Sequence, residues 1–513
     1  MKRRFSFLLI PFLLFYALPT GAAEKEERRW QDETMYFIMV DRFLNEENNN
    51  DFDVNLDDPR AYHGGDFKGI MSQLDYIQEM GFTSIWLTPI FNNEDKGYHG
   101  YWISDFYNTE EHFGTLEEFK LLVEEAHKRD LKVVLDFVVN HVGPNHEWVS
   151  DPEKSNWLHD KKSITNWKDD ADVQNSWLYD LPDLNTENPD VQEYLFEAAK
   201  WWIEETNIDG YRLDTVRHVP AAFWEKFAQE VKSVNKDFYL LGEVYDKDPK
   251  NIAKYAETGI DGFVDFPQND ELRNVFKTTD IPLDRLPNYW NYNETFYKDP
   301  YLMGTFIDNH DMSRFTMLAA EENQFPPTRW KQALAYMYTV PGIPIVYYGS
   351  EIALNGGEDP DNRRLMNFKT DKDLIEYITK LGQLRQDLPA LTRGTIEEID
   401  HDGTMLVYKR KFEDETIIVA INDSSETQTI KINAAEFDQD KELRGLLAGD
   451  KVNEDNGVFS IVLDRETTEI YAVADESGLN IGFISALTLV YVLFLGFIYL
   501  IWKQSRKKRL EKK

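Results

Sequence analysis

The stretch GYRLDTVRH, from Gly210 to His218, ends an apolar segment with a cluster of charged and titratable side chains. Arg212 and Asp214 are two residues apart, so in a β-strand both side chains project from the same face. Such a pair at a strand end is either a structural ion pair or part of a functional site. The stretch alone leaves both interpretations open, and the surrounding fold has to decide.

This stretch belongs to a series of short apolar segments that alternate with amphipathic helical segments. The predicted strands are 35–40, 83–88, 132–139, 208–214, 238–243, 261–266, 304–308 and 343–349. Helical periodicity is clear in 115–130, 189–205 and 372–387. This alternation predicts an α/β fold, a (β/α)8 TIM barrel over residues 24–393.

Two further regions depart from the barrel pattern. About fifty residues separate the third strand from the helix that begins near Pro189, and loops of that length are usually functional. We interpret residues 140–186 as a small inserted subdomain. From 394 to 474 the pattern changes to short alternating strands, which predicts a C-terminal antiparallel β-sandwich domain.

The two ends of the chain carry targeting patterns. Residues 1–23 combine basic side chains, an apolar core and small residues before Ala23, which is typical of a secretory signal peptide. A retained N-terminal anchor is the alternative, but the core is short and contains two prolines. Residues 479–502 carry no charge and are long enough to span a bilayer as a transmembrane helix.

The basic tail 503–513 predicts that the chain end stays cytoplasmic. A buried core helix is the alternative for 479–502, but no polar face appears there. We therefore expect a single-pass protein of the cell membrane whose folded part is exported and extracellular. Whether the anchor is retained or clipped stays open.

The amino-acid composition limits which binding partners and which stabilising bonds are expected. The net charge is −36, so nucleic acid is not expected as a partner. The chain contains no cysteine, so an exported form has no disulfide bonds, and packing or metal ions must supply any additional stabilisation. We expect a monomer.

Three carboxylates follow predicted strands and indicate a site. Asp214, Glu243 and Asp311 come after strands four, five and seven, and polar residues at the carboxyl ends of barrel strands converge. Each alone would more often be a cap or an ion pair. Three of them at one rim, with His and Arg beside them, are difficult to explain structurally.

These residue types favour glycoside cleavage, which needs two carboxyl groups that flank the scissile bond. Arg212 would keep Asp214 ionised through its charge and hydrogen bonding. Glu243 has no adjacent cation in the sequence, so its pKa can rise until it holds a proton. Asp311, beside a histidine, would contact sugar hydroxyls.

The segments around these residues also resemble a known family. In order and spacing, the α-amylase family (glycoside hydrolase family 13) has five signature regions similar to DFVVNH (136–141), LPDLN (181–185), GYRLDTVRH (210–218), GEV (242–244) and FIDNHD (306–311). The resemblance covers about residues 30–474. It implies that Asp214 is the nucleophile, Glu243 the acid/base and Asp311 the transition-state stabiliser.

The same resemblance implies a set of sugar-binding residues: His99, Tyr101, Trp102, His141, Arg212, Arg217, His218, His310, Asp359 and Arg363. Arg217 and His218 would contact the leaving-group side. The alternative for the aromatic residues is packing in the core. For Asp359 and Arg363 the alternative is a surface ion pair.

Calcium is the cofactor that the resemblance implies. The side chains of Asn140 and Asp183 with the carbonyl of His218 form a hard oxygen set, as calcium prefers. Some relatives have a second site, whose ligands here would be Asn45, Glu47, Asn50, Asp51, the Gly64 carbonyl and Asp66. A polar loop is the alternative for that segment.

The resemblance therefore implies a calcium-dependent, retaining endo-hydrolase of α-1,4-glucans such as starch, maltodextrin or glycogen: a membrane-anchored α-amylase. One alternative is a maltogenic, neopullulanase-like or transglycosylating member of the same family. Another is a non-catalytic amylase-like ectodomain. The pair Arg217 and His218 favours the first reading, and the three retained carboxylates disfavour the last.

Overall fold

The computed structural model describes residues 27–370, 372–437, 440–476 and 481–510. The predicted signal peptide, 1–23, lies outside the described residues, as does the end of the basic tail, 511–513. The described chain forms a parallel barrel with an inserted segment, followed by an antiparallel sheet domain and a terminal helix.

Eight parallel strands build the barrel and follow the predicted order. They are β1 (Met35–Ile38), β2 (Ser84–Leu87), β3 (Lys132–Phe137), β4 (Gly210–Leu213), β5 (Tyr239–Gly242), β6 (Gly262–Phe263), β7 (Gly304–Phe306) and β8 (Ile343–Tyr347). Neighbours in sequence pair in parallel, and β8 pairs with β1. A bridge between Val264 and Gly304 joins β6 to β7, so the barrel closes and the predicted fold is confirmed.

Helices surround this barrel. In chain order they are Val40–Phe43, Phe67–Ser72, Leu74–Glu79, Leu116–Lys128, Pro189–Thr206, Ala221–Val234, Pro249–Ala253, Phe266–Phe276, Leu286–Phe296, Phe315–Glu321, Pro326–Thr339, Asp373–Asp387 and Pro389–Arg393. The sequence sets their starts: Thr115 and Glu118 form a capping box before the fourth helix. Because helices cover the outside and side chains fill the inside, the barrel strands are buried on both faces.

Two segments rise above the carboxyl ends of the strands. After β2, Phe91–Asn93 and Ile103–Thr109 form an antiparallel pair. After β3, the inserted segment contains the short helix Asp170–Gln174 and the 3-10 turns Glu147–Val149, Pro152–Lys154 and Leu178–Asp180. A bridge between His141 and Asp183 closes its base, so the insertion begins and ends beside the barrel rim.

The C-terminal domain is antiparallel, and this part of the predicted fold is confirmed. Its strands are β9 (Thr395–Asp402), β10 (Met405–Phe412), β11 (Glu415–Asn422), β12 (Gln428–Asn433), β13 (Lys441–Gly445), β14 (Lys451–Asp455), β15 (Val458–Leu463) and β16 (Thr467–Asp475). The order is β9-β10-β11-β16-β13-β14-β15-β12. Side chains such as Ile418, Ile432 and Phe459 share one apolar core, so the two ends of the sheet pack together.

A buried arginine fastens this domain to the barrel. Arg329 lies in the helix Pro326–Thr339 and forms an ion pair with Asp423, just after β11. A second carboxylate, Glu466, lies 3.3 Å from Arg329 Nη1. Arg329 Nε donates to the carbonyl of Phe276 at 2.9 Å. Burial raises the pKa of Asp423 to about 7, although Arg329 opposes the shift.

Replacing this arginine is expected to destabilise the protein. Arg329→Met leaves Asp423 buried without its cation, which typically costs about 3–5 kcal/mol of unfolding free energy. Urea unfolding measures this loss. Lys331→Gln is the control, because Lys331 pairs with Asp373 at the surface of the same helix and contributes under about 1 kcal/mol. Equal losses in the two variants would contradict the assignment.

The last described helix, Ile481–Leu510, covers most of the predicted span 479–502. Its large apolar side chains between Leu489 and Trp502 are exposed. Within the part of the chain that the structure describes, no helix is both long enough and apolar enough to cross a bilayer. The structure thus does not support the membrane span, which stays a prediction.

Candidate active site

Asp214 and Glu243 follow directly after β4 and β5 and meet at one guanidinium. Arg212 Nη1 donates to Asp214 Oδ1 at 2.7 Å. Arg212 Nη2 forms an ion pair with Glu243 Oε1. All three side chains are buried. The shared guanidinium therefore holds the two carboxyl groups side by side at the carboxyl edge of the barrel.

Asp136, inside β3, fixes the orientation of this guanidinium. Arg212 Nη1 donates to both carboxylate oxygens of Asp136 at 2.9 Å. The hydroxyl of Tyr101 donates to Asp136 Oδ2 at 2.8 Å. Burial raises the pKa of Asp136 to about 7, and the positive charge of Arg212 counteracts the rise. Asp136 thus fixes the guanidinium from the β3 side, while Nη1 and Nη2 also contact Asp214 and Glu243 at the barrel rim.

The backbone directly after Asp214 is strained. Thr215, the residue after Asp214, has a φ of 47°, in the left-handed region. Its N–H donates to Glu243 Oε2 at 3.2 Å. A non-glycine residue in that region costs about 1–2 kcal/mol, and such strain is concentrated at functional sites. The unusual turn aims a backbone donor at Glu243.

The two carboxyl groups differ in their remaining contacts. Asp214 Oδ2 is buried but forms no hydrogen bond with any described residue. Burial raises the pKa of Glu243 to about 8; the positive charge of Arg212 opposes the rise, and the negative charges of Asp214 and Asp311 add to it. One carboxyl group thus has a free oxygen for attack, and the other can carry a proton near neutral pH.

Three histidines, His99, His141 and His310, line the same cleft as this pair. Burial lowers the pKa of His141 and holds the pKa values of His99 and His310 well below the ordinary range. These imidazoles are therefore neutral and can exchange hydrogen bonds with hydroxyl groups without adding charge. Tyr101 stacks on His310 with ring centroids 5.1 Å apart.

Asp311 lies opposite, at the end of the β7 segment, and is more exposed. Its Oδ2 is 3.3 Å from His310 Nε2, and its Oδ1 is 3.5 Å from Arg363 Nη2. Arg363 also pairs with Asp359, at 3.1 Å, and its Nε donates to the His310 carbonyl. The Asp359–Arg363 ion pair is therefore present. Arg363 is buried and also contacts the third carboxylate, Asp311.

One open cleft of about 1100 Å³ collects most of the predicted sugar-binding residues and all three carboxylates. The predicted residues that line it are His99, Tyr101, Trp102, His141, Asp214, Arg217, His218, Glu243, His310, Asp311, Asp359 and Arg363. Arg212 lies beneath the cleft floor, fully buried. The aromatic residues Tyr101 and Trp102 are half-buried and line the cleft, and Tyr101 also packs against the hydrophobic core.

Three exposed aromatic side chains at the cleft were not predicted. Trp167 and Tyr179 come from the inserted segment, and Tyr245 follows β5. Their exposed fractions are 47%, 85% and 57%. Tyr179 has a φ of 50° and Asp180 a φ of 65°, so two consecutive residues adopt the left-handed region. Aromatic residues in irregular loops have no periodicity, so the sequence offered no signal for them.

The predicted calcium ligands do come together at the base of the insertion. The Asn140 amide lies 3.1 Å from Asp183 Oδ1 and 3.1 Å from the His218 carbonyl oxygen. With its Nδ2 directed to His141 Nδ1, at 3.3 Å, its oxygen faces both of these acceptors. A cation among the three oxygens satisfies this arrangement, as does a rotated amide that donates to both. The donor set therefore fits calcium.

No group of three or more His, Asp or Glu side chains in the described residues forms a metal cluster. The second predicted site is only partly assembled. Asn45 Nδ2 donates to Asp51 Oδ1 at 2.7 Å, beside Gly64, and the buried Asn50 Oδ1 forms no hydrogen bond with the described residues. Two other predicted ligands are engaged elsewhere, because Glu47 pairs with Lys68 and Asp66 caps the helix Phe67–Ser72.

Calcium removal gives a test of the first site. At a calcium concentration of about 100 Kd, binding to the folded state adds about 2.7 kcal/mol, which raises Tm by about 3 °C in a chain of this size. Chelator should lower the Tm of the wild type by that amount and calcium restore it. Asp183→Asn should abolish the response, while Glu47→Gln, at the second loop, should keep it. A calcium response that survives in Asp183→Asn would place the ion elsewhere.

A closed barrel whose rim presents paired carboxyl groups, a third carboxylate and neutral histidines along an open cleft defines a glycoside hydrolase. Comparison with known proteins agrees. The family model "Alpha amylase, catalytic domain" matches residues 37–444. The chain belongs to the α-amylase family of glycoside hydrolases.

Individual relatives include both hydrolases and transferases. The crystal structure of an Anoxybacillus α-amylase superposes with a TM-score of 0.87 at 59% identity, over 88% of this chain and all of that one. A β/α-amylase of Paenibacillus polymyxa is 36% identical over 86% of this chain, which spans only 38% of that relative. A cyclomaltodextrin glucanotransferase of Klebsiella oxytoca is 32% identical over 82% of this chain and 74% of its own length.

Proposed function

We propose that this protein is an α-amylase that cleaves α-1,4-glucosidic bonds inside starch, maltodextrin or glycogen chains and retains the anomeric configuration. The observation that carries the proposal is the Arg212 guanidinium, which contacts Asp214 and Glu243 together. Carboxyl groups that share one guanidinium lie close together, which favours a retaining mechanism over an inverting one, whose carboxyl groups are farther apart. The high identity to the Anoxybacillus α-amylase supports the same activity.

In this mechanism Asp214 Oδ2 attacks the anomeric carbon while Glu243 donates its proton to the glycosidic oxygen. The glycosidic bond breaks, the leaving chain takes the proton, and a glycosyl ester forms on Asp214. Glu243, now ionised, removes a proton from water, which attacks the same carbon and releases Asp214. Arg212 Nη1 donates to Asp214 Oδ1 and so orients the nucleophile, and Asp311 with His310 would bind the hydroxyl groups of the distorted sugar.

Calcium would be held by Asn140, Asp183 and the His218 carbonyl. When bound, it supplies electrostatic cross-linking between the insertion and the barrel rim and takes no part in bond cleavage. Because His218 belongs to the turn that follows Asp214, an ordered ion site also orders one wall of the cleft.

Transglycosylation is the second candidate, and the exposed aromatic residues favour it. Trp167, Tyr179 and Tyr245 offer flat apolar faces to a sugar, and a bound acceptor sugar competes with water for the glycosyl ester. The relationship to a glucanotransferase is consistent with this alternative.

Product analysis separates these possibilities. Proton NMR of the first products from soluble starch should show the α-anomer, and the viscosity of the solution should fall before reducing ends accumulate. Appearance of β-anomers first would contradict retention. Cyclic or elongated products at high substrate concentration would favour the transferase, and no turnover of starch, pullulan or cyclodextrin would exclude a glucan hydrolase.

The location of the enzyme is proposed on the sequence alone. We propose export by residues 1–23 and attachment to the outer face of the cell membrane through 479–502. Activity of the full chain should then sediment with membranes and be released by detergent but not by high salt. Activity in the soluble fraction from the start would contradict attachment.

A further inference from the structure

Arg217 was expected at the leaving-group side of the cleft, but its guanidinium is occupied by two loops of the protein. Nη1 donates to Asp246 Oδ2, 3.1 Å away, in the loop after β5. Nη2 donates to the backbone carbonyl of Trp167, in the inserted segment. Arg217 itself sits in the turn Val216–His218 after β4. One side chain therefore connects three separate loops at one end of the cleft.

The partners of Arg217 are themselves fixed. Asp246 Oδ2 also accepts from Asn251 Nδ2 at 2.9 Å, and Asp246 Oδ1 accepts from the N–H of Asp248. The hydroxyl of Tyr255 donates to the carbonyl of Arg217 at 3.2 Å. About a sixth of the Arg217 side chain is exposed (17%), so its bond to Asp246 is partly shielded from water, whereas its bond to the Trp167 carbonyl faces solvent. The β4 and β5 loops thus form a firm base for the third loop.

The inserted loop has less support of its own at Trp167. Residues 165–169 are organised by short-range contacts, such as the bonds from Thr165 and Asn166 to Asp172. The Trp167 ring is half-exposed and meets the His218 ring edge-on with centroids 5.9 Å apart. The bond from Arg217 to the Trp167 carbonyl sets how far this aromatic face stands from the β4 rim.

From these contacts we infer that Arg217 is a positioning residue, which holds Trp167 in place for the glucan instead of binding the glucan itself. This rests on the proposed function, since Trp167 is taken as a stacking surface for a glucose unit. The planar fork of arginine reaches both partners at once, whereas the single ammonium of lysine cannot. The position therefore requires arginine.

Steady-state kinetics with maltoheptaose test the assignment. Arg217→Gln should raise KM for maltoheptaose about tenfold, with kcat within about threefold of wild type, because remote binding is lost and the reacting groups are intact. Arg217→Lys should recover only part of the loss. Lys247→Gln removes the same charge from the β5 loop but leaves all three loops connected, so it should behave as wild type.

A double-mutant cycle distinguishes positioning from direct contact. If Arg217 acts through the loops, Asp246→Asn raises KM in the same direction, and the double variant Arg217→Gln/Asp246→Asn is no worse than Arg217→Gln. If Arg217 binds the glucan directly, Asp246→Asn has no effect or the two effects add. That result would overturn the inference.

Limited proteolysis gives a readout that needs no activity. Lys161, Lys162 and Lys168 are exposed in the inserted loop and offer trypsin sites. Arg217→Gln should speed cleavage there at least about fivefold at unchanged Tm, because local opening governs the rate. Unchanged cleavage would refute the loop cross-link even if the enzyme is active. Faster cleavage in a protein inactive on every glucan would leave the cross-link standing and refute the proposed function.

Discussion

Asp214→Asn is expected to lower kcat on soluble starch by about 10⁴-fold or more, the scale seen when a catalytic nucleophile is removed. The amide cannot form the glycosyl ester, and Arg212 loses the carboxylate that it holds at 2.7 Å. Substrate should still bind, because the cleft walls are untouched. Steady-state kinetics with a dye-released or reducing-end assay measures the loss.

The matched control for this variant is Asp209→Asn. Asp209 precedes the same strand, β4, at the opposite edge of the barrel, where it accepts from the Val133 N–H at 2.7 Å and contacts His127. Carboxylates at that edge serve stability rather than chemistry. Asp209→Asn should lower Tm and keep kcat within about twofold. If Asp214→Asn retained a hundredth of the wild-type kcat, the nucleophile would have to be another group.

Glu243→Gln is expected to lower kcat on starch by about 10²–10⁴-fold, the range for loss of a general acid. The wild type works while Glu243 is protonated. Because burial raises its pKa to about 8, kcat/KM of the free enzyme should stay high below that pH and fall as pH rises through it. The variant has no such group, so this alkaline limb should disappear from its profile.

The substrate leaving group and an added nucleophile separate this role from a structural one. An aryl maltoside with a good leaving group needs little proton donation, so Glu243→Gln should lose less activity on it than on starch. Azide should accelerate turnover of that substrate by the variant, since the anion needs no general base. An alkaline limb that persists in Glu243→Gln, or the absence of azide rescue, would assign the acid/base elsewhere.

The barrel was predictable because its strands are buried on both faces and therefore stand out as apolar runs. The residues at which these strands begin and end were harder to predict. The sequence predicts a strand over 208–214, but the paired strand is Gly210–Leu213, since Asp214 turns away into the rim. The sixth strand was expected over 261–266 and is only Gly262–Phe263. In both cases the predicted segment extends beyond the hydrogen-bonded strand.

The candidate site was predictable where its residues follow strands and less so where loops meet. Asp214, Glu243 and Asp311 come after strand ends, and parallel strands in a barrel bring those ends together. The contact from Arg217 to the Trp167 carbonyl joins residues fifty positions apart through an irregular loop. No periodicity or spacing rule encodes such a contact, so only the folded chain reveals it.

The junction between the barrel and the C-terminal sheet affects how the protein unfolds. The helix Pro389–Arg393 ends the barrel and β9 begins at Thr395, so a single residue, Gly394, separates them. Arg410, in β10, donates to the Gly394 carbonyl at 2.9 Å and also to the carbonyl of Thr339 in a barrel helix. The connection is too short, and too closely held by Arg410, for one part to move far from the other. We therefore expect the barrel and the sheet to unfold together, so that a substitution that destabilises the distal sheet also lowers catalytic activity.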